Sequence, residues 1–339
     1  LRTLEAFLDD AMHFIVDANR RVLRVVAIFH HVAPQEDLLL ASTQCARPND
    51  VAHAELGHHG ARNHTCPFQV ILCAGGHFAE CQVFRGAAAQ QFRVADTQTS
   101  YAVGLGMGLF SDDNLPHMIK NLAAAVEREN ADDGGVLRPK YSLMTGFIGT
   151  AWISKALSDH GLSELAYRLL QNNQYPSWLY AVDQGATTIW ERLNGYTVEN
   201  GFGGNNSMNS FNHYSFGAVG QWMLAYSLGI QRDEPGFRKF ILRPEPDPTG
   251  QMTSAEGYYD SMYGRISSAW KTDGKTLTYR ATVPANTTAT LYLPAAGPDA
   301  VREGGRDAAS ARGVRFLRYE NGKAVYLLES GTFDFSTSR

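Results

Sequence analysis

Leu277-Thr278-Tyr279-Arg280-Ala281-Thr282-Val283 alternates apolar and polar residues without a break. Successive side chains of a strand point to opposite faces, so this stretch predicts a strand with one buried and one wet face. Asp273-Gly274 before it and Asn321-Gly322 beyond it are tight-turn signals, because both dipeptides accept the positive φ of a two-residue hairpin loop. Strand-like runs also occupy 237–243, 265–270, 290–293, 314–319 and 324–328. Short strands joined by such turns predict an antiparallel β-sandwich over residues 236–339.

Upstream of Gly236 the period is helical. Asp96-Thr97-Gln98-Thr99 offers an Asp or Thr N-cap to a helix running to about Phe110. Gly104, Gly106 and Gly108 weaken that helix but permit close packing against it. Asp112 or Asp113 opens a second helix with Met118, Leu122, Ala125 and Val126 on one face. Helices are also predicted over 147–157, over 163–172 with Leu165, Leu169 and Leu170 apolar, and over 214–228. A long loop, 175–212, interrupts them. Short helices joined by long loops suit a helical toroid. The fold class is therefore α+β multidomain, part of a toroid over 95–235 followed by the β-domain.

The first 94 residues read differently. Through Ala95 there is no Lys, Trp or Tyr, while all four Cys (Cys45, Cys66, Cys73, Cys81) and eight of the eleven His fall there. A folded domain of that composition is possible but odd, and the favoured explanation is a segment translated out of frame or from the wrong strand. It predicts an irregular region that does not pack as a native partner of the helices. Phe7, Leu8, Met12, Phe14 and Ile15 have helical spacing, with Asp9 and Asp10 on a solvated face. Cys66, Cys73, His77 and Cys81, with His58, His59 and His64 nearby, could be taken for a zinc set. The tight cysteine pairs of structural zinc sites are missing, which argues against it. The four Cys could instead pair as disulfides, but nothing else points to an oxidising compartment.

The 339-residue chain carries 44% hydrophobic and 19% charged residues and a net charge of −4. No basic block stands out, which argues against nucleic acid or an anionic membrane as the main partner. No apolar run approaches the ~18 residues of a membrane span. Asp9, Asp10, Arg20 and Arg21 do not fit a signal peptide.

Chemistry concentrates between Tyr175 and Tyr214, where Trp178, Tyr180, Trp190, Tyr196, Phe202 and Phe211 lie among glycines, amides and carboxylates. Aromatic faces stack on sugars and polar groups bind their hydroxyls, so a carbohydrate cleft is one reading. Ordinary core beneath a long loop is the other, and composition alone leaves both open.

Several motifs fall in order: 96–101 (DTQTSY), 145–150 (TGFIGT), 175–180 (YPSWLY), 185–192 (GATTIWER), 210–214 (SFNHY), 241–244 (ILRP) and 283–290 (VPANTTAT). Together they resemble the α-L-rhamnosidases of glycoside hydrolase family 78, over about residues 95 to 335. The resemblance implies an (α/α)6 barrel, of which this chain holds the C-terminal half, and hydrolysis of terminal α-L-rhamnose with inversion. Its natural partner is then a rhamnose-containing glycoside or polysaccharide.

The family's general base, the Glu of Trp-Glu-Arg, falls on Glu191. The bland alternative is a salt bridge to Arg192, but adjacent residues of a helix do not face each other. His213 matches the family histidine that binds rhamnose hydroxyls. Trp190 and Trp178 are candidates for the sugar-facing wall, and either could be core. This chemistry needs no metal or organic cofactor. The family's general acid lies on an acidic motif upstream of the Asp96 position, and residues 1–94 offer no counterpart. Two other readings stay open, a carbohydrate-binding remnant without turnover and another (α/α)6 glycosidase or phosphorylase.

Overall fold

The computed structural model describes residues 13–17, 22–26, 95–203 and 207–338. The cysteines, the histidines considered with them, and Asp9 and Asp10 lie outside the described residues. Strands β1 (His13–Asp17) and β2 (Val22–Val26) pair as an antiparallel hairpin. Phe14 and Ile15, expected on a helix, thus lie in a strand. Runs of five residues are too short for periodicity to separate the two.

Helix α1 (Gln98–Gly106) is capped by Thr97, whose Oγ1 accepts the Ser100 N–H at 3.2 Å. It stops short of Phe110 because Gly108 turns the chain at φ 63°. Helix α2 (Leu115–Glu127) buries Leu122, Ala125 and Val126, the face that the spacing predicts. A small hairpin, β3 (Asn130–Ala131) and β4 (Leu137–Arg138), follows. Its turn is tied by Asp132 Oδ1, which accepts the Gly134 and Val136 N–H groups at 3.0 and 2.9 Å.

Helix α3 (Gly146–Asp159) lies against α1. The approach depends on missing side chains: a Cβ on Gly106 would stand 2.3 Å from the Trp152 ring, and one on Gly149 would stand 2.4 Å from Thr99 Oγ1. Helix α4 (Ser163–Gln171) buries Leu165, Ala166, Tyr167, Leu169 and Leu170. Helix α5 (Trp178–Asp183), capped by Ser177, lies inside the stretch expected to be loop. The single helix expected over 214–228 is a 3-10 turn (Ser215–Ala218), an α-turn α6 (Val219–Trp222) and a π-turn (Met223–Ser227). Gly217 and Gly220 weaken the regular α form there.

The strands that follow are β5 (Ile230–Arg232), β6 (Lys239–Leu242), β7 (Ser254–Ser261), β8 (Gly264–Thr272), β9 (Thr276–Val283) and β10 (Thr288–Pro294). After them come β11 (Val301–Glu303), β12 (Arg306–Asp307), β13 (Val314–Glu320), β14 (Lys323–Leu328) and β15 (Gly331–Ser338). One sheet runs β1-β2-β7-β8-β9-β15-β11-β12 and the other β13-β14-β10-β6-β5. In β9, Leu277, Tyr279, Ala281 and Val283 are buried while Thr278 and Arg280 are exposed, as the alternation requires. Tyr326 of β14 stacks on Phe335 of β15 at 6.1 Å, joining the two sheets through their inner faces.

Pairing is mainly antiparallel, with two exceptions, β2 beside β7 and β6 beside β10. The second arises because β7, β8 and β9 are threaded into the other sheet before the chain returns to the side of β6. Strand β5 already belongs to the second sheet, so β-structure begins slightly before Gly236.

The helices and sheets are bolted together by buried hydrogen bonds. Trp270 Nε1 donates to Ser227 O at 2.8 Å and Ser268 Oγ to Leu228 O at 2.6 Å. Tyr167 donates its hydroxyl to Glu245 O at 2.6 Å. Asp247, 2% exposed, accepts from Gln171 Nε2 and from the Thr249 and Met252 N–H groups.

Candidate active site

Glu191 lies in the irregular chain after Trp190, not in a helix. Its position is set by a two-way exchange with Ser210: the Glu191 N–H donates to Ser210 O at 2.9 Å, and Ser210 N–H donates to Glu191 Oε2 at 2.9 Å. Three residues beyond Ser210, the His213 N–H donates to Ile189 O at 2.8 Å. Thr188 adds a hydroxyl hydrogen bond to Phe211 O. Segments 188–191 and 210–213 are thereby held side by side, and the 22-residue separation of Glu191 and His213 closes into one constellation.

Within it, His213 Nε2 stands 3.9 Å from Glu191 Oε1, and the two side chains are only 21% and 17% exposed. That gap exceeds a direct hydrogen bond. It does let a single oxygen reach both groups at ordinary lengths of about 2.8 Å. The Ser215 N–H approaches His213 Nδ1 at 3.4 Å. With Nδ1 accepting, the ring proton of the neutral imidazole belongs on Nε2, facing the carboxylate side.

The rest of the aromatic stretch divides by exposure. Trp178 is 8% exposed and donates its indole N–H to Phe216 O at 2.8 Å. Trp190 is 6% exposed and lies edge-on to Tyr196 and Phe211. Of the two roles open to these tryptophans, packing beneath the loop is the one that their burial fits. The rings open to solvent near the site are Tyr214, 80% exposed, and Phe202, 57% exposed. Arg192 is not set by helical geometry, since its segment is not helical. Its Nη2 donates to Asn209 Oδ1 at 3.3 Å. Cavities of about 490 and 390 Å³ lie elsewhere, and neither is lined by Glu191 or His213.

Two features of the constellation escape a reading of side-chain chemistry. One is the main-chain clamp of Ser210, for which the sequence carries no side-chain signal. The other is Phe147, whose ring stacks on His213 with centroids 4.8 Å apart. Both residues do fall within the ordered motifs, which was the one sign available. Among the described residues no group of three or more His, Cys, Asp or Glu could hold a metal ion. No helix among them is long and apolar enough to cross a membrane.

Helices followed by a two-sheet domain, with a carboxylate and an imidazole brought together on a loop between helices, accord with the six-hairpin glycosidase class, whose domain model the helical part matches. The chain belongs to the bacterial α-L-rhamnosidase family. The model of the bacterial alpha-L-rhamnosidase 6 hairpin glycosidase domain matches residues 85–226. That of the bacterial alpha-L-rhamnosidase C-terminal domain matches residues 229–307.

An alpha-L-rhamnosidase of Formosa agariphila is 35% identical over 242 residues, which is 71% of this chain and 25% of that protein. One from Streptomyces avermitilis is 36% identical over 241 residues, 71% of this chain and 21% of the relative. The chain thus spans a quarter or less of the length of these curated relatives.

The solved structure of Streptomyces avermitilis alpha-L-rhamnosidase complexed with L-rhamnose superposes with a TM-score of 0.61 at 37% identity, over 71% of this chain and 22% of that one. The Aspergillus terreus enzyme gives a TM-score of 0.57 at 30% identity, over 71% and 24%.

Proposed function

We propose that residues 95–338 form the base-bearing side of an inverting α-L-rhamnosidase site that releases terminal α-L-rhamnose from glycosides or polysaccharides. The observation that carries this reading is the 3.9 Å approach of His213 Nε2 to Glu191 Oε1 on clamped backbone segments. In the proposed step, Glu191 takes a proton from water, whose oxygen attacks the anomeric carbon. The bond from that carbon to the leaving oxygen breaks, and a carboxylic acid on the opposite side protonates the leaving oxygen. Rhamnose departs with inverted configuration. Inverting pairs stand roughly 6.5–9.5 Å apart to admit the water.

His213 donates from Nε2 to a rhamnose hydroxyl beside that water. We place the acid on the upstream half of the toroid, outside residues 95–235. The fit of this part to the family, and the protein whose solved structure holds L-rhamnose, support the substrate assignment.

Two assays test the proposal. On a nitrophenyl α-L-rhamnoside the 339-residue chain should show negligible turnover, and full activity would place an acid within residues 1–94 and refute the frame-error reading. In a hybrid joining residues 95–338 to the upstream part of the Streptomyces avermitilis barrel, turnover should appear. There Glu191→Gln should lower it by about 10²–10⁴-fold while rhamnose binding persists. Near-parental turnover of that variant would remove Glu191 as the base.

A further inference from the structure

We propose that Phe147 is a positioning residue: it fixes the imidazole plane and tautomer of His213 so that the Nε2 proton faces the Glu191 side. The inference rests on the reading of His213 as a sugar-binding group. It starts from two ring contacts. Phe147 stacks on His213 at 4.8 Å with 29° between planes, and Tyr214 stacks on it at 5.2 Å with 19°. Two near-parallel rings this close to one imidazole leave it little room to rotate about the Cβ–Cγ bond.

The two neighbours are not equivalent. Tyr214 is 80% exposed and is the next residue in the chain, so it moves with His213. Phe147 comes from another element, the first turn of α3, and is half-buried. Its ring is also braced edge-on by Phe216 at 5.5 Å. The Phe216 carbonyl is held by the Trp178 indole N–H at 2.8 Å. The turn that carries Phe147 is tied down by the Thr99 hydroxyl on Thr145 O at 2.7 Å.

A side chain whose support is this extended can act as a fixed wall. Against it the imidazole keeps Nδ1 toward the Ser215 N–H at 3.4 Å. That bond is long, and an imidazole free to turn would not keep it. Loss of the wall therefore frees both the ring and its proton position.

The test uses the full 339-residue chain labelled with ¹⁵N-histidine. Nitrogen–proton correlation across the ring should show His213 in the Nε2–H tautomer, with its ring protons displaced upfield by the stacked phenyl. In Phe147→Leu the displacement should shrink and the tautomers should mix, and Phe147→Tyr should restore both. L-Rhamnose affinity, measured on the same samples, should fall roughly 2- to 12-fold in Phe147→Leu, the range for loss of a specific ring pair. It should recover in Phe147→Tyr.

An unchanged tautomer and unchanged affinity in a folded Phe147→Leu overturn the proposal. Should that variant fail to fold, the parent spectrum decides alone, and undisplaced ring protons or an Nδ1–H tautomer overturn it. A parent chain with the expected tautomer but no rhamnose binding refutes the rhamnose reading instead and leaves the positioning intact.

Discussion

Alanine at Gly149 puts the α1–α3 crossing, and with it the turn that carries Phe147, under a graded strain. The added Cβ would stand 2.4 Å from Thr99 Oγ1, 2.9 Å from Thr145 Cβ and 3.0 Å from Thr99 Cβ. In an isolated helix the change is favourable, since Ala exceeds Gly by about 0.8–1.0 kcal/mol. Overpacking a filled contact costs about 1–3 kcal/mol. The Thr99 hydroxyl that must move also donates to Thr145 O at 2.7 Å, and losing that bond costs about 0.5–1.5 kcal/mol.

The steric and hydrogen-bond terms outweigh propensity, and the net loss centres on about 2 kcal/mol. For a folding unit of about 150–250 residues, the size of 95–338, that lowers the thermal midpoint by about 4–8 °C. Thermal unfolding followed by circular dichroism measures it. Thr99→Ala removes the nearest atom, so the double variant should lose less than the sum of the two single changes. A raised midpoint in Gly149→Ala, or strict additivity with Thr99→Ala, would show slack at the crossing and refute the argument.

His213→Ala in the hybrid enzyme should weaken binding and turnover together, because its hydrogen bond serves ground and transition states alike. An affinity loss on the order of 2- to 12-fold is expected in titrations with L-rhamnose, and no loss would take His213 out of the sugar site. Away from the site, burial pushes the Glu245 carboxyl above the ordinary carboxylate range, with its Ser163 hydrogen bond and the charge of Lys323 acting in the opposite sense. The folded chain then holds this proton more tightly than the unfolded chain, so stability falls as pH rises from the ordinary carboxylate range through the folded value. Glu245→Gln should therefore melt above the parent at neutral pH, with the gap closing on acidification below the ordinary range. A gap independent of pH would refute this.

The sequence shows most where structure depends on local period. The alternation of 277–283 and the spacing of Leu122, Ala125 and Val126 mark the buried faces because one side of each element meets the core. It shows less where the outcome rests on partners distant in the chain. Strand β7 carries Glu256, Tyr258, Tyr259 and Asp260, a run without clean alternation, and it forms because β8 pairs with it along its whole length. Helix α5 was hidden because six residues give too little periodicity to recognise. At the site, Glu191 and His213 are picked out by the motifs they sit in, and the family resemblance implies acid–base and hydroxyl-binding roles for them. Phe147 does not, since a phenylalanine announces nothing until the fold sets it against an imidazole. The tryptophans carry an ambiguous signal: their size suggests a sugar platform, and the same size makes them natural filling beneath a long loop.

What the geometry adds is that the proposed base side is held by hydrogen bonds between its own two segments. Two main-chain bonds, Glu191 N–H to Ser210 O and His213 N–H to Ile189 O, and one from the Ser210 N–H to the Glu191 carboxylate Oε2 connect 189–191 to 210–213. None involves a residue outside the matched region. The carboxylate and the imidazole therefore take their relative position from a clamp that does not need the proposed acid-bearing side of a toroid to close. An inverting site has reason to be divided in this way. Its acid and base act on opposite faces of the sugar and must keep a separation that admits water, so each can be held rigidly on its own support. On the reading proposed here, sugar recognition by His213 and loss of turnover on removing the acid are separable properties, and a chain with only the base side should display the first without the second.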